Sequence, residues 1–182
     1  MAGGRRSETM TAAFTIRSAT GGDAERIAQI YEPYVRDTPA SFELEPPRAE
    51  EMLGRIAAGA GTYPWLVAEK DSTVVGYAYA GQFRSRAAYR WSAEVSAYIA
   101  TEHRARGAGR ALMNRLLDEL RAADFANAFA GVTLPNPGSV RLFESLSFEP
   151  VGVFRNVGYK FGRWHDVGWW QLPLREFGAD FR

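Results

Sequence analysis

The chain has 182 residues, with 22 Lys and Arg against 21 Asp and Glu, a formal net charge of +1, no cysteine and two histidines. That length suits one domain burying roughly two-thirds of its unfolded surface, and the balanced charge gives no electrostatic reason to expect nucleic acid or a membrane as partner. Without cysteine there is no disulfide, thiol nucleophile or thiolate metal site, and two histidines are too few for a His-rich metal cluster.

Acid and base chemistry must therefore lean on carboxylates, tyrosines or lysines. No run approaches the length of a membrane span, and the first dozen residues lack the apolar stretch of a secretory signal. The expectation is a cytoplasmic protein with residues 1–12 as a disordered leader, 13–176 as a single domain and 177–182 as a tail. Met10 is an alternative start.

In chain order, Phe14 to Arg17 alternates as a short strand. Thr20-Gly-Gly-Asp23 then has the spacing that satisfies two free donors at a helix start. Ile27, Ile30, Tyr31 and Tyr34 form one buried stripe of that helix, which Pro33 is expected to end or kink. The Pro-rich loop from Asp37 to Pro47 carries Phe42, readable as a core plug or as a wall of a pocket. Glu50 to Ala58 reads as a second helix with Met52, Leu53 and Ile56 inward, stopped by Gly59-Ala-Gly61.

Trp65 to Glu69 and Thr73 to Ala80 form an antiparallel hairpin with Tyr77 and Tyr79 on one face. The connection from Gly81 to Arg90 holds Arg84, Arg86 and Arg90, either a solvated rim or a clamp for an anionic group. Ala93 to Ile99 alternates as a strand, placing Glu94 on one face with Ser96 and Tyr98. Arg104-Ala-Arg-Gly-Ala-Gly-Arg110 follows, with Gly107 and Gly109 turning backbone N–H groups into a concavity at a helix start, a site for an anion such as pyrophosphate.

In that helix Leu112, Leu116 and Leu120 repeat every four residues as core. Ala126 to Leu134 is apolar, as in strands of parallel pairings buried on both faces. Asn136 and Pro137 open another helix as cap and first residue, with Leu142, Phe143 and Leu146 inward. Val151 to Phe154 and Val167 to Leu172 read as a hairpin joined by Gly158 to Asp166, with Trp164 and Trp169 packing that hairpin or a subunit interface. The order β, α, α, β, β, β, α, β, α, β, β is an α/β arrangement around one mixed sheet.

A third glycine required by a Rossmann fingerprint is missing, and so is the Gly-Lys-Ser/Thr ending of a P-loop. His165 beside Asp166 lacks a serine in a nucleophile elbow, which disfavours hydrolysis.

A strand, then Arg104-x-x-Gly107-x-Gly109, an amphipathic helix, a buried strand and Asn136-Pro-Gly-Ser139 together resemble the GNAT family of acetyl-CoA-dependent N-acetyltransferases. The similarity runs from Ile16 to Leu174. Tyr63 to Glu69, Gly76 to Gly81, Ala88 to Trp91 and Gly158 to Val167 narrow it to the phosphinothricin and methionine sulfone/sulfoximine branch.

The resemblance implies a GNAT fold with splayed central strands and acetyl-CoA as co-substrate, with no metal. Arg104, Ala105, Arg106, Gly107, Ala108, Gly109 and Arg110 would take the CoA pyrophosphate. Ala97, Tyr98 and Ile99 would pair with the pantetheine arm, and Asn136 and Ser139 would touch its far side. Glu94 matches the general base for direct transfer to a small-molecule amine; read alone, it is more often a glutamate on the solvent face of a half-exposed strand. Phe42, Arg84, Arg86, Tyr89 and Arg90 are the acceptor-binding candidates.

Two departures stand out. Phe143 occupies the place of a tyrosine that protonates the leaving thiolate, which leaves Tyr98, Tyr159 or water, or unassisted departure. Ser147 occupies a left-handed cap usually given to glycine. The branch also implies a homodimer, and the alternatives are an acetyltransferase for protein N-termini or polyamines and a non-catalytic acyl-CoA-binding module.

Overall fold

A computed structural model describes residues 14–178. The expected leader, and residues 179–182 of the expected tail, lie outside the described residues.

The elements follow the expected order: β1 (Thr15–Ser18), α1 (Ala24–Asp37), α2 (Ala49–Gly59), β2 (Trp65–Lys70), β3 (Thr73–Gln82), β4 (Ser92–Ile99), α3 (Ala108–Ala122), β5 (Asn127–Leu134), α4 (Pro137–Glu144), β6 (Glu149–Lys160) and β7 (Arg163–Pro173). The strands form one mixed sheet in the order β1-β2-β3-β4-β5-β7-β6. Each neighbouring pair is antiparallel except β4 with β5.

Strand alternation divides the core into two layers. Leu66 and Val67 are adjacent in β2, yet Leu66 packs with Leu112, Met113, Leu116 and Leu120 of α3, while Val67 packs with Ile27, Ile30, Val35 and Met52 of α1 and α2. The α3 leucines are fully buried, each contributing about 1.5–3 kcal/mol by leaving water. At the entry to α1, the Thr20 N–H donates to Asp23 Oδ2 at 2.7 Å, and Arg17 grips both Asp23 (2.7 Å) and Glu69 of β2 (2.7 Å). One guanidinium thus ties β1, β2 and the start of α1.

Four local expectations need correction. Pro33 does not end α1, which runs on to Asp37; the buried stripe on both sides of it, Ile27 to Val35, holds the helix through the lost hydrogen bond. Leu53 is 46 % exposed, because the inward stripe of α2 narrows to Met52 and a half-buried Ile56. β5 is parallel to β4 at three registered positions only and antiparallel to β7 along its whole length. The segment between the last two strands is itself strand except for a tight turn at Phe161 and Gly162, both at positive φ.

Candidate active site

Strands β4 and β5 are in register at Ser92, Ala93 and Glu94, and then part. On its other side β4 stays paired with β3 as far as Ile99, so a gap opens on one edge of β4 only. Ala100 N–H returns to the Val75 carbonyl of β3 at 2.9 Å. By alternation Tyr98 faces β3 as well, while Ala97 and Ile99 turn their backbone groups toward the gap.

The Ile99 groups are engaged within the chain. Tyr34 of α1 accepts from Ile99 N–H at 3.0 Å and donates to its carbonyl at 2.7 Å. Arg104 Nε donates to the same hydroxyl at 3.2 Å, with its guanidinium 4.5 Å above the Tyr34 ring. Of the three residues expected along the pantetheine arm, Ala97 is therefore the one turned to the gap without Tyr34 upon it.

At the far end of β4 the turn bends through Ala105 (φ 58°) and Gly107 (φ 94°) into α3. Successive N–H groups converge there at a helix start, with Arg104, Arg106 and Arg110 exposed around them. Gly109 is the second residue of α3, within its first turn, where an added Cβ would meet Leu142 at 3.5 Å and Ile99 at 3.7 Å. Across the gap, Asn136 Oδ1 accepts the Ser139 N–H at 3.1 Å and caps α4. A donor-rich helix start beside a strand gap suits a diphosphate continued by an extended, amide-containing arm.

Glu94 sits at the mouth of the gap, between Gly81 of β3 and Phe129 of β5. Burial pushes its carboxyl above the ordinary value, partly offset by the Arg84 charge. Phe83 stacks on Phe129 at 4.1 Å and meets Tyr89 and Trp169 edge-on at 6.0 Å. Arg84 lies 4.3 Å over Phe83 and 5.5 Å from Trp169. The structure thus brings Arg84 and Tyr89 to the Glu94 wall. Arg86 stays on the exposed rim, and Arg90 covers Trp91 at 5.0 Å.

On the α1/α2 side a cleft of about 380 Å³ runs beside Gly81, lined by Tyr31, Arg55, Trp65 and Tyr79. Its rim is a polar chain that sequence reasoning missed. Tyr31 Oη lies 2.7 Å from Ser41 Oγ and donates to Glu43 at 3.0 Å, and Arg55 grips both Glu43 oxygens at 2.7 and 2.9 Å. Arg55 chiefly holds the Glu43 carboxyl below its usual value. Phe42 is neither plug nor free side chain: it remains 38 % exposed while its ring covers Gly158, close to His165.

His165 Nε2 contacts the Lys160 carbonyl at 3.0 Å, and Asp166 is taken by Arg155 and the Asn156 N–H, so the two form no relay. Phe143 is buried edge-on to Phe148. No group of three or more metal-binding side chains stands together among the described residues, and no helix there is long and apolar enough to cross a membrane.

Residues 16–169 match the family model of the acetyltransferase (GNAT) domain. A phosphinothricin N-acetyltransferase of Streptomyces viridochromogenes is 39% identical over 86% of this chain and 85% of its own. An L-methionine sulfoximine/L-methionine sulfone acetyltransferase of Salmonella typhimurium is 36% identical over 91% of this chain and 97% of its own. Among solved structures, a GNAT superfamily phosphinothricin acetyltransferase from Sinorhizobium meliloti in complex with acetyl-CoA superposes with a TM-score of 0.85 at 37% identity, covering 88% of each chain. A strand gap, a helix-start cradle and these similarities converge: the chain belongs to the GNAT acetyltransferase family and is an acetyl-CoA-dependent N-acetyltransferase.

Proposed function

We propose that the chain acetylates the α-amine of a small amino acid carrying a tetrahedral phosphinyl, sulfone or sulfoximine group, by direct transfer with Glu94 as general base. The observation that carries this is the position of Glu94, a half-buried carboxylate at the last registered pair before the gap. The substrates named for the two relatives supply the acceptor class.

Acetyl-CoA supplies the activated acyl group when bound. Amino groups with pKa near 8 or above are mostly protonated at neutral pH. Glu94 takes that proton, and the raised pKa brings the carboxylate nearer to the working pH of a base. Ala97 N–H faces the gap, where a donor polarises a carbonyl oxygen. As the nitrogen–carbon bond forms and the carbon–sulfur bond breaks, the departing thiolate takes a proton from water. Phe143 has none to give, and Tyr159 stands on the edge strand beside Trp164. The Tyr98 ring packs against Tyr31, Tyr34 and Tyr77, and burial raises its phenol above the ordinary value.

Arg84 is the cation placed to hold an acceptor oxyanion. The cradle residues Arg104 to Arg110 take the pyrophosphate, and Asn136 and Ser139 border the arm. We place the reaction in the cytoplasm, where acetyl-CoA is made available, and the working form as a homodimer through the apolar outer face of β6 and β7.

Thiol release from acetyl-CoA with a panel of amines tests this. Phosphinothricin and methionine sulfoximine should outrun peptides and polyamines, and E94Q should bind CoA yet turn over slowly. Preference for peptides would assign a protein N-terminus as acceptor; CoA binding without any release would make the chain a binding module.

A further inference from the structure

Lys160 closes β6 with its side chain 4 % exposed, an unusual place for an ammonium. It lies more than a hundred residues from its partners. Nζ donates to three backbone carbonyls, Val35 at the end of α1, Thr38, and Ser41 at 2.8 Å. Carbonyls at a helix C-terminus carry partial negative charge and favour a cation. Charge-assisted bonds to all three offset the loss of water around it. Burial lowers the Lys160 pKa and the Glu43 charge opposes that shift.

Those carbonyls belong to the segment that frames the cleft. Ser41 passes its hydroxyl to Tyr31, Tyr31 donates to Glu43, and Glu43 holds Arg55; Tyr31 and Arg55 line the cleft itself. The next residue, Phe42, lies so close on Gly158 that an added Cβ would fall 2.2 Å from its ring. Lys160 and Gly158, two residues apart on one strand and so on one face of it, therefore both meet the same loop.

We propose that Lys160 is a positioning residue for the acceptor amine: its buried ammonium ties the turn of β6 and β7 to residues 38–43 and so sets the acceptor wall of the cleft. This rests on the proposed function and takes the cleft, which runs beside Gly81 opposite Glu94, as the place of the acceptor. Lys160 touches neither substrate; Val35, which it holds, follows Tyr34, the residue bonded to Ile99 and Arg104 on the carrier side, so the KM for acetyl-CoA reports that route separately.

K160M removes the ammonium and keeps the chain length, and G158A pushes on Phe42 without altering charge. In each, KM for the acceptor should rise about tenfold, the scale of one lost charge-assisted bond, while KM for acetyl-CoA stays within about twofold. Trypsin should also cut faster at Arg36 and Arg48, which flank the loop. If K160M does not fold, G158A carries the test alone. Both KM values rising together would assign Lys160 a merely structural role, and an unchanged acceptor KM with a freed loop would remove the positioning role. An unaltered cleavage pattern would remove the tie itself. If the wild-type enzyme acetylates none of the amines, the acceptor assignment fails, and the proteolysis still reports whether the tie exists.

Discussion

Burial sets the pH at which Glu94 accepts a proton. Its carboxyl is raised above the ordinary value, so kcat/KM should fall as pH drops through a point above the usual carboxylate range. E94Q should remove that acid limb and lower turnover by about 100-fold or more, with CoA affinity kept by calorimetry. A second residue-scale effect concerns Ser147, held at φ 66° where Phe148 N–H closes on the Phe143 carbonyl at 3.1 Å. S147G relieves a left-handed side chain and should raise stability by about 0.5–1 kcal/mol in urea unfolding. Both residues were legible in the sequence, Glu94 by alternation together with the family resemblance and Ser147 as a departure from the glycine that the family places there. The bonds of Tyr34, Arg55 and Lys160 were not, since what they hold becomes adjacent only when α1 and the last hairpin fold against the sheet.

At the scale of elements, the turn into α3 and the entry to α1 each hang on a few atoms. G107V forces a β-branched side chain to φ 94°, costing about 1–2 kcal/mol and closing the cradle; CoA should bind about tenfold more weakly in a titration. The clamp of Arg17 on Asp23, its hydrogen bonds first among the causes and burial opposing, takes that carboxyl from 3.8 to about 2. Its stabilisation is complete above the unfolded value and is lost as pH falls from about 4 toward 2. R17L should cost about 1–2 kcal/mol at neutral pH, discounted for the solvent around the guanidinium, and much less near pH 2. Element order was readable because hydrophobic period and caps are local. The pairing of β5 with β7 depends on strands far apart in the chain and left no mark in any window, and the parting of β4 from β5 was legible only through the family resemblance. Ala105 at positive φ was equally hidden, since a glycine count finds Gly107 and Gly109 and passes over an alanine.

For the whole molecule, the sheet ends at β6, an edge strand with Val151, Val153, Phe154 and Val157 exposed. Such a row invites another chain. V153E should convert the proposed homodimer to monomers in sedimentation velocity; an unchanged sedimentation coefficient would remove this face as its interface. Trp164 shares this surface and was anticipated as hairpin packing or interface, whereas Trp169 turns inward to the Glu94 wall.

The parting of β4 and β5 also makes folding and occupancy a single equilibrium. A sheet open near its middle has a seam where backbone groups lack a neighbouring strand, and an arm lying in that seam completes the ladder. Ligand at 100 times its Kd adds about 2.7 kcal/mol to the folded state, a large share of the about 5–15 kcal/mol typical of a domain. The lifetime of this chain in a cell should accordingly follow acetyl-CoA supply: starved cells would clear it sooner, and fed cells would keep it.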